Sequence, residues 1–192
     1  MTMSKKVIIL NAPPGAGKDT IGSLICKHAP QYVVKRSFKE PMFKIAKAML
    51  GDYRFSLFMQ AYDDREQKER AQPFLNGKSP RQFMIWISED VIKPQFGDQY
   101  FGVVMAEAVR DSQVPVVITD GGFPDEVKPL VSAGIQVNIC RLHRDGYTFA
   151  GDSRDYLNLE GYHHRIVTRD YIVVHGDPMH TVDQICEDIL SD

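Results

Sequence analysis

The residues Ala12-Pro13-Pro14-Gly15-Ala16-Gly17-Lys18-Asp19-Thr20 combine types that suit the binding of phosphate. Glycines at 15 and 17 free the backbone amides of side-chain bulk, so the amides can point at phosphate oxygens. Lys18 adds a point charge, and a helix beginning there adds the positive end of its dipole. The run follows the apolar stretch Val7-Ile8-Ile9-Leu10, the pattern of a buried strand emptying into a turn. Strand, Gly-x-Gly-Lys and helix fall in order, which chance glycines in an ordinary corner would not explain. Residues Pro14, Gly15, Ala16, Gly17, Lys18, Asp19 and Thr20 are therefore expected to hold the polyphosphate of a nucleoside triphosphate.

Two positions depart from the pattern G-x-x-x-x-G-K-[ST]: Ala12 stands at the first glycine and Asp19 at the hydroxyl that normally meets magnesium. Alanine is tolerable there if its φ is negative, and the two following prolines stiffen the turn. A carboxylate is a hard ligand, so Asp19, with Thr20 beside it, is expected to hold Mg²⁺ directly or through water. Asp120 ends the run Pro115-Val116-Val117-Ile118-Thr119 and is expected to anchor the same ion's waters.

The chain has 192 residues, 43% of them hydrophobic, enough for one sizeable core. One domain is the expectation, with room for a lid or insertion. The formal charge of −2 gives no global reason to bind nucleic acid or an anionic membrane, so phosphate recognition must come from locally placed cations. Cys26, Cys140 and Cys186 are odd in number and set in apolar segments, which suits small buried hydrophobes better than disulfides or zinc ligands. His163 and His164 are adjacent, so their side chains should diverge, and nothing at metal spacing joins them. No apolar run reaches the length of a signal or membrane span. The expected location is the cytoplasm, and a homodimer is left open.

The elements that must position these groups alternate between strand and helix. A helix with Ile21, Leu24, Ile25 and His28 on one face follows the loop as far as Pro30. A second strand is expected over residues 32–37, and a helix opened by Glu40-Pro41 and ended by Gly51. An aromatic-rich helix around residues 55–62 precedes the charged run 63–70, which reads as a solvated surface. Ser79-Pro80-Arg81-Gln82 is a capping box, opening a helix to about Ile92 that Pro94 closes. Further helices are expected over residues 100–111, from Phe123 to near Gly134, and from a cap at Thr181. Strands are expected over 115–120, 135–142 and 171–174. The fold class is α/β, a three-layer αβα arrangement with a five-stranded parallel sheet, whose ligand crevice lies at the carboxyl ends of the strands.

On these residues the chain resembles the deoxynucleoside monophosphate kinases of bacteriophage and bacterial type, within the P-loop nucleoside monophosphate kinase superfamily. Gly17-Lys18-Asp19-Thr20 replaces the usual Gly-Lys-Ser/Thr, a substitution shared with that family and with phosphomevalonate kinases. Ser79 to Lys93, Ile118-Thr119-Asp120 with Phe123-Pro124-Asp125-Glu126, and Ser37-Phe38-Lys39-Glu40-Pro41 carry the rest. The resemblance implies a single P-loop kinase domain with a monophosphate-binding region at about 37–98 and a lid at about 143–165. It implies transfer of the γ-phosphoryl of ATP to a nucleoside monophosphate, with Lys18, Arg141 and Arg144 catalytic and Arg154 also closing over the phosphoryl group. Arg81, Arg36 and Lys39 would meet the acceptor phosphate, Asp90 its base or sugar, and Asp120 the substrate and metal. Gly122 and Lys93 stand where the family usually has arginines, so another phosphorylated metabolite remains open as acceptor. So does a module that binds nucleotide without turnover.

Overall fold

The computed structural model describes residues 5–29, 31–152 and 154–191, so the expected stop at Pro30 lies outside the described residues. Strands β1 (Lys6–Asn11), β2 (Val34–Arg36), β3 (Val116–Ile118), β4 (Gln136–His143) and β5 (Ile166–Ile172) form one sheet in the order β2-β3-β1-β4-β5. Every pairing is parallel. β1 lies at the centre, and Val7, Ile8, Ile9 and Leu10 are fully buried, as a strand covered on both faces requires.

Alternation along the strands sorts the core into two layers. Ile8, Leu10, Val117, Cys140 and Leu142 pack with Ile21 and Ile25 of α1 (Lys18–His28) and Val182, Ile185 and Ile189 of α7 (Pro178–Leu190). Their neighbours Val7, Ile9, Val116, Ile118, Val137 and Ile139 are equally buried and face the other way. On that side α6 (Pro124–Ser132) packs on β4, and α5 (Tyr100–Asp111) meets α6 at Gly102. A Cβ at Gly102 would stand 2.5 Å from the Glu126 carbonyl oxygen, so only glycine permits that approach. The expected α/β class and five-stranded parallel sheet are the observed ones.

The described chain falls into two compact units. The sheet-bearing unit runs up to Phe38 and resumes at Phe101, and the second is Lys39–Tyr100. The second holds α2 (Glu40–Asp63), two 3₁₀ turns, α3 (Pro80–Trp86), a π-helical turn over Ile87–Ile92 and α4 (Lys93–Phe96). Its core is aromatic. Phe58 is fully buried, with the rings of Phe43, Phe55, Tyr62 and Phe83 centred 6.4, 5.9, 5.6 and 5.8 Å away.

Gly51 ends the first helical stretch of α2, where the sequence places that end. It takes φ 71°, ψ 168°, a conformation essentially reserved for glycine, and so joins two helical stretches across a kink within α2. Several other boundaries differ from the sequence expectation. Pro94 does not close α3. The π turn resets the ladder, Pro94 falls in the first turn of α4 where no amide is needed, and Gly97 at φ 87° ends the run. β5 begins at Ile166, five residues before the expected Tyr171, because it is an edge strand whose Arg169 and Asp170 face cross-strand partners rather than an apolar layer. α7 starts at Pro178, capped by Asp177 Oδ1 accepting from the His180 amide at 3.2 Å. Thr181 is instead buried and donates to the Ile172 carbonyl. His163 and His164 lie in a turn rather than a regular strand, and their rings stack at 4.4 Å instead of diverging. All three cysteines are free thiols, and burial pushes Cys140 up to about 12.

Candidate functional site

The glycine-rich loop joins β1 to α1. Gly15 and Gly17 take φ of 79° and 101°, left-handed values that side chains resist, and Gly17 directly precedes the first helical residue, Lys18. Among the described residues Asn76 is the one non-glycine at positive φ, so Ala12 meets the condition its sequence position imposed. Pro13 accepts from the Ala16 amide at 3.2 Å, and Gly17 from the Ile21 amide at 2.9 Å, closing the turn and starting the helix. Lys18 is only 9% exposed, while Asp19 and Thr20 are exposed.

Around the loop stand groups from distant segments. Thr119 Oγ1 donates to Asp19 Oδ1 at 2.6 Å, placing the end of β3 against the start of α1. Gly22, one turn along α1, leaves room for that threonine: a Cβ at Gly22 would lie 2.4 Å from Thr119 Cγ2. Lys35 Nζ, from β2, lies 4.0 Å from the same Asp19 oxygen. Asp120 accepts from Ser37 Oγ at 2.6 Å and from the Phe38 amide at 3.0 Å, so this carboxylate also fixes the chain leaving β2. Arg36 closes β2 in register with Ile118, on the same side of the sheet's central strand as Asp120.

Residues 144–152 and 154–159 form a strap over the loop. The Tyr147 ring lies 3.1 Å from where a Gly15 Cβ would be, and an Arg144 guanidinium nitrogen 3.8 Å from the corresponding point on Gly17. The Arg144 guanidinium also sits over the Tyr147 ring at 4.8 Å. Arg154 is forked onto Asp152, through Nε at 2.8 Å and Nη2 at 2.7 Å. Its aliphatic stem fills the space above Gly122, where a Cβ would stand 2.7 Å from Cδ and 2.8 Å from Cγ. The resemblance would place an arginine at 122; here the strap brings one to the same spot from elsewhere in the chain. Hydrogen bonding to Asp152 holds the Arg154 guanidinium above its ordinary pKa, and the charges of Asp120 and Glu126 act in the same direction.

Arg141 is differently engaged. It lies in register with Asp170 on β5 and grips it through Nε at 2.9 Å and Nη2 at 2.6 Å, with Glu160 at 3.6 Å. His143 Nε2 lies 2.5 Å from the same carboxylate. Hydrogen bonding from Arg141, reinforced by His143, holds the Asp170 carboxyl below the usual carboxylate range. A carboxyl whose folded pKa is depressed contributes stability above its unfolded value, near pH 3.9, and loses it as pH falls further. Asp170→Asn is therefore expected to destabilise the protein at pH 7 and to flatten its stability loss below about pH 4. Urea midpoints at pH 7 and pH 3 check this, and equal pH sensitivity in variant and wild type would refute it.

Lys39, Arg81 and Asp90 belong to the second unit. Ser79 and Gln82 form both bonds of the capping box, which fixes Arg81 in the first turn of α3, where its Nε donates to Glu69 at 2.7 Å. Asp90 is exposed on the π turn, beside the pair Glu89–Lys93 at 2.6 Å. Phe83 and Trp86 stack at 5.7 Å, with Phe83 part of the aromatic core.

For a divalent cation the candidate donors are the Asp19 carboxylate and Thr20 hydroxyl in the first turn of α1 and the Asp120 carboxylate just beyond β3. These are hard oxygens and suit Mg²⁺, which takes one or two carboxylates and completes its shell with water and phosphate oxygens. Among the described residues no group of three or more His, Cys, Asp or Glu gathers to form a closed metal cage. Reasoning from sequence missed Lys35, Thr119, Tyr147 and the Asp152–Arg154 fork. Only Lys35 had a local signal, the alternation of side chains along a strand.

No known protein-family signature matches the chain, and no curated protein does. Solved structures of similar course include a gluconokinase from Sinorhizobium meliloti 1021, 13% identical over 95% of this chain and 90% of that one, with a TM-score of 0.45. A tunicamycin resistance protein of Deinococcus radiodurans is 13% identical over 95% and 94%, at 0.48. A sugar kinase from Janibacter sp. HTCC2649 is 13% identical over 97% and 95%, at 0.45. Likeness at this level says nothing about a substrate. No helix among the described residues is long and apolar enough to cross a membrane.

Proposed function

We propose that this protein transfers the γ-phosphoryl group of ATP to a phosphorylated small molecule, with a deoxynucleoside monophosphate the first acceptor to test. The observation that carries the reading is the corner at Gly15–Lys18: two glycines at positive φ, a nearly buried lysine at the head of α1, and Arg144 facing it from the strap.

In this reading the amides of residues 14–20 and the Lys18 ammonium hold the β- and γ-phosphates. Phosphoryl transfer asks little covalent chemistry of the protein, because the acceptor is already an oxyanion and needs no strong base. Positioning and charge neutralisation dominate. Arg144 and Arg154 meet the charge spread over the transferring group, and the strap keeps water away from it, which prevents wasteful hydrolysis. Arg141 reaches a phosphate only by giving up its fork on Asp170, so it takes the smaller share. Asp19, Thr20 and Asp120 would hold Mg²⁺, whose charge, when bound, offsets that of adjacent phosphate oxygens. Arg36, Lys39 and Arg81 are assigned to the acceptor phosphate and Asp90 to its base or sugar, from residue type and order in the chain.

The test is incubation with Mg·ATP and each deoxynucleoside monophosphate, then with other phosphorylated metabolites, followed by chromatography for new diphosphate or phosphorylated product. A diphosphate from one deoxynucleoside monophosphate is the expected outcome. Product from a different metabolite alone would move the acceptor assignment, and no product from any would overturn transfer itself.

A further inference from the structure

Asn11 is the last residue of β1, one step before the loop, and its side chain is 1% exposed. Its carboxamide is engaged at both ends. Nδ2 donates to the Asp155 carbonyl at 3.2 Å, and Oδ1 accepts from the Leu157 amide at 2.8 Å. A carbonyl two residues before an amide, both met by one planar donor–acceptor group, is the pattern by which a strand's peptide group engages a parallel neighbour. The Asn11 side chain thus acts as a peptide unit turned out of the sheet, and the strap pairs with it as if with a strand. Leu157 and Leu159 are buried beyond this contact, and Tyr156, between the two bonded residues, donates its hydroxyl to the Leu142 carbonyl at 3.0 Å.

We infer that Asn11 is a positioning residue: it clasps residues 155–157 so that the groups preceding them in the chain are held in place, Arg154 over Gly122 and Arg144 with Tyr147 over the glycine loop. The inference rests on the proposed phosphoryl transfer for its effect on rate, while the clasp itself has a readout of its own. The chemistry demanded of position 11 is narrow. It must donate and accept at once, across a fixed planar spacing, without charge. Alanine supplies neither function. Aspartate supplies the acceptor but sets a second oxygen against the Asp155 carbonyl unless it is protonated, in which form it reproduces the carboxamide's donor and acceptor. Burial of that carboxyl would raise its pKa.

The experiment compares wild type with Asn11→Ala and Asn11→Asp by residue-resolved amide hydrogen exchange and steady-state kinetics. In Asn11→Ala the Leu157 amide is expected to exchange at least tenfold faster while the Ile8 amide in the sheet keeps its protection. The kcat of the folded fraction should fall about ten- to a hundredfold, the scale on which small displacements of catalytic groups act. Asn11→Asp should regain strap protection as pH is lowered and lose it as pH rises, a dependence absent from wild type and from Asn11→Ala. Ile25→Val, a core change far from the strap in sequence, should leave kcat per folded molecule unchanged. Wild-type exchange at Leu157 in Asn11→Ala, or faster exchange with undiminished kcat, would overturn the inference. If Asn11→Ala does not fold, the pH dependence of Asn11→Asp decides: its absence overturns the clasp. A wild-type protein that transfers no phosphoryl group would sink the proposed function instead, with the clasp still read by exchange and its pH dependence.

Discussion

Lys18→Ala is expected to lower kcat for phosphoryl transfer by about 10²–10³, the loss found when a single preorganised group facing transition-state charge is removed. The reason is local. Lys18 is 9% exposed at the first position of α1, directly after Gly17 at φ 101°, so its ammonium sits where water is largely excluded and charge interactions are strong. Alanine keeps the helix start, since it is the best helix former. The variant should therefore fold and lose function. Lys18→Arg should recover little, because a planar fork does not replace a compact point charge inside a tight turn. Steady-state assays with Mg·ATP and calorimetric titration of ATP check both statements. Undiminished turnover in Lys18→Ala would remove the loop from the donor site. ATP binding with no turnover even in wild type would instead favour a module that senses nucleotide.

The second large effect concerns stability. Phe58→Ala is expected to cost about 3–5 kcal/mol, the range for emptying a buried aromatic position. Phe58 is fully buried and touches rings on both segments of α2 and on α3, so no neighbour can collapse into the space without leaving its own contacts. Edge-on and tilted ring pairs would be lost together with the buried area. Phe83, one of those rings, lies two residues after Arg81, so the α3 end that carries Arg81 should loosen as well. Urea denaturation of the variant should show a lower midpoint at an unchanged slope. A shift of less than about 1 kcal/mol would mean that this aromatic cluster repacks freely.

The parts of the molecule that could be read from sequence are those whose cause is local. The loop was legible because its glycines, lysine, preceding apolar run and following helix are contiguous. Each acts through its own φ, charge or dipole. The Ser79–Gln82 capping box was legible for the same reason: both of its hydrogen bonds close within four residues. The alternation of apolar runs and helical stripes gave the α/β class, since a strand apolar on every residue must be covered on both faces. Boundaries were misread where a local signal had two outcomes. Pro94 could end a helix or begin one. The polar Arg169 and Asp170 hid an edge strand whose partners lie on β4.

By itself, then, the sequence determined that a strand empties into a phosphate-binding corner headed by Lys18, and that a parallel sheet supports it. Tertiary structure alone decided which distant groups face that corner: Thr119 on Asp19, the Arg154 stem over Gly122, Tyr147 and Arg144 against the glycines, and residues 155–157 on Asn11. Those pairings span about a hundred residues or more, or, like Arg154 and Gly122, join segments divided by one helix and one strand. No backbone propensity or short-range periodicity encodes them. They form only once the strand order β2-β3-β1-β4-β5 has brought the ends of β1, β3 and β4 side by side.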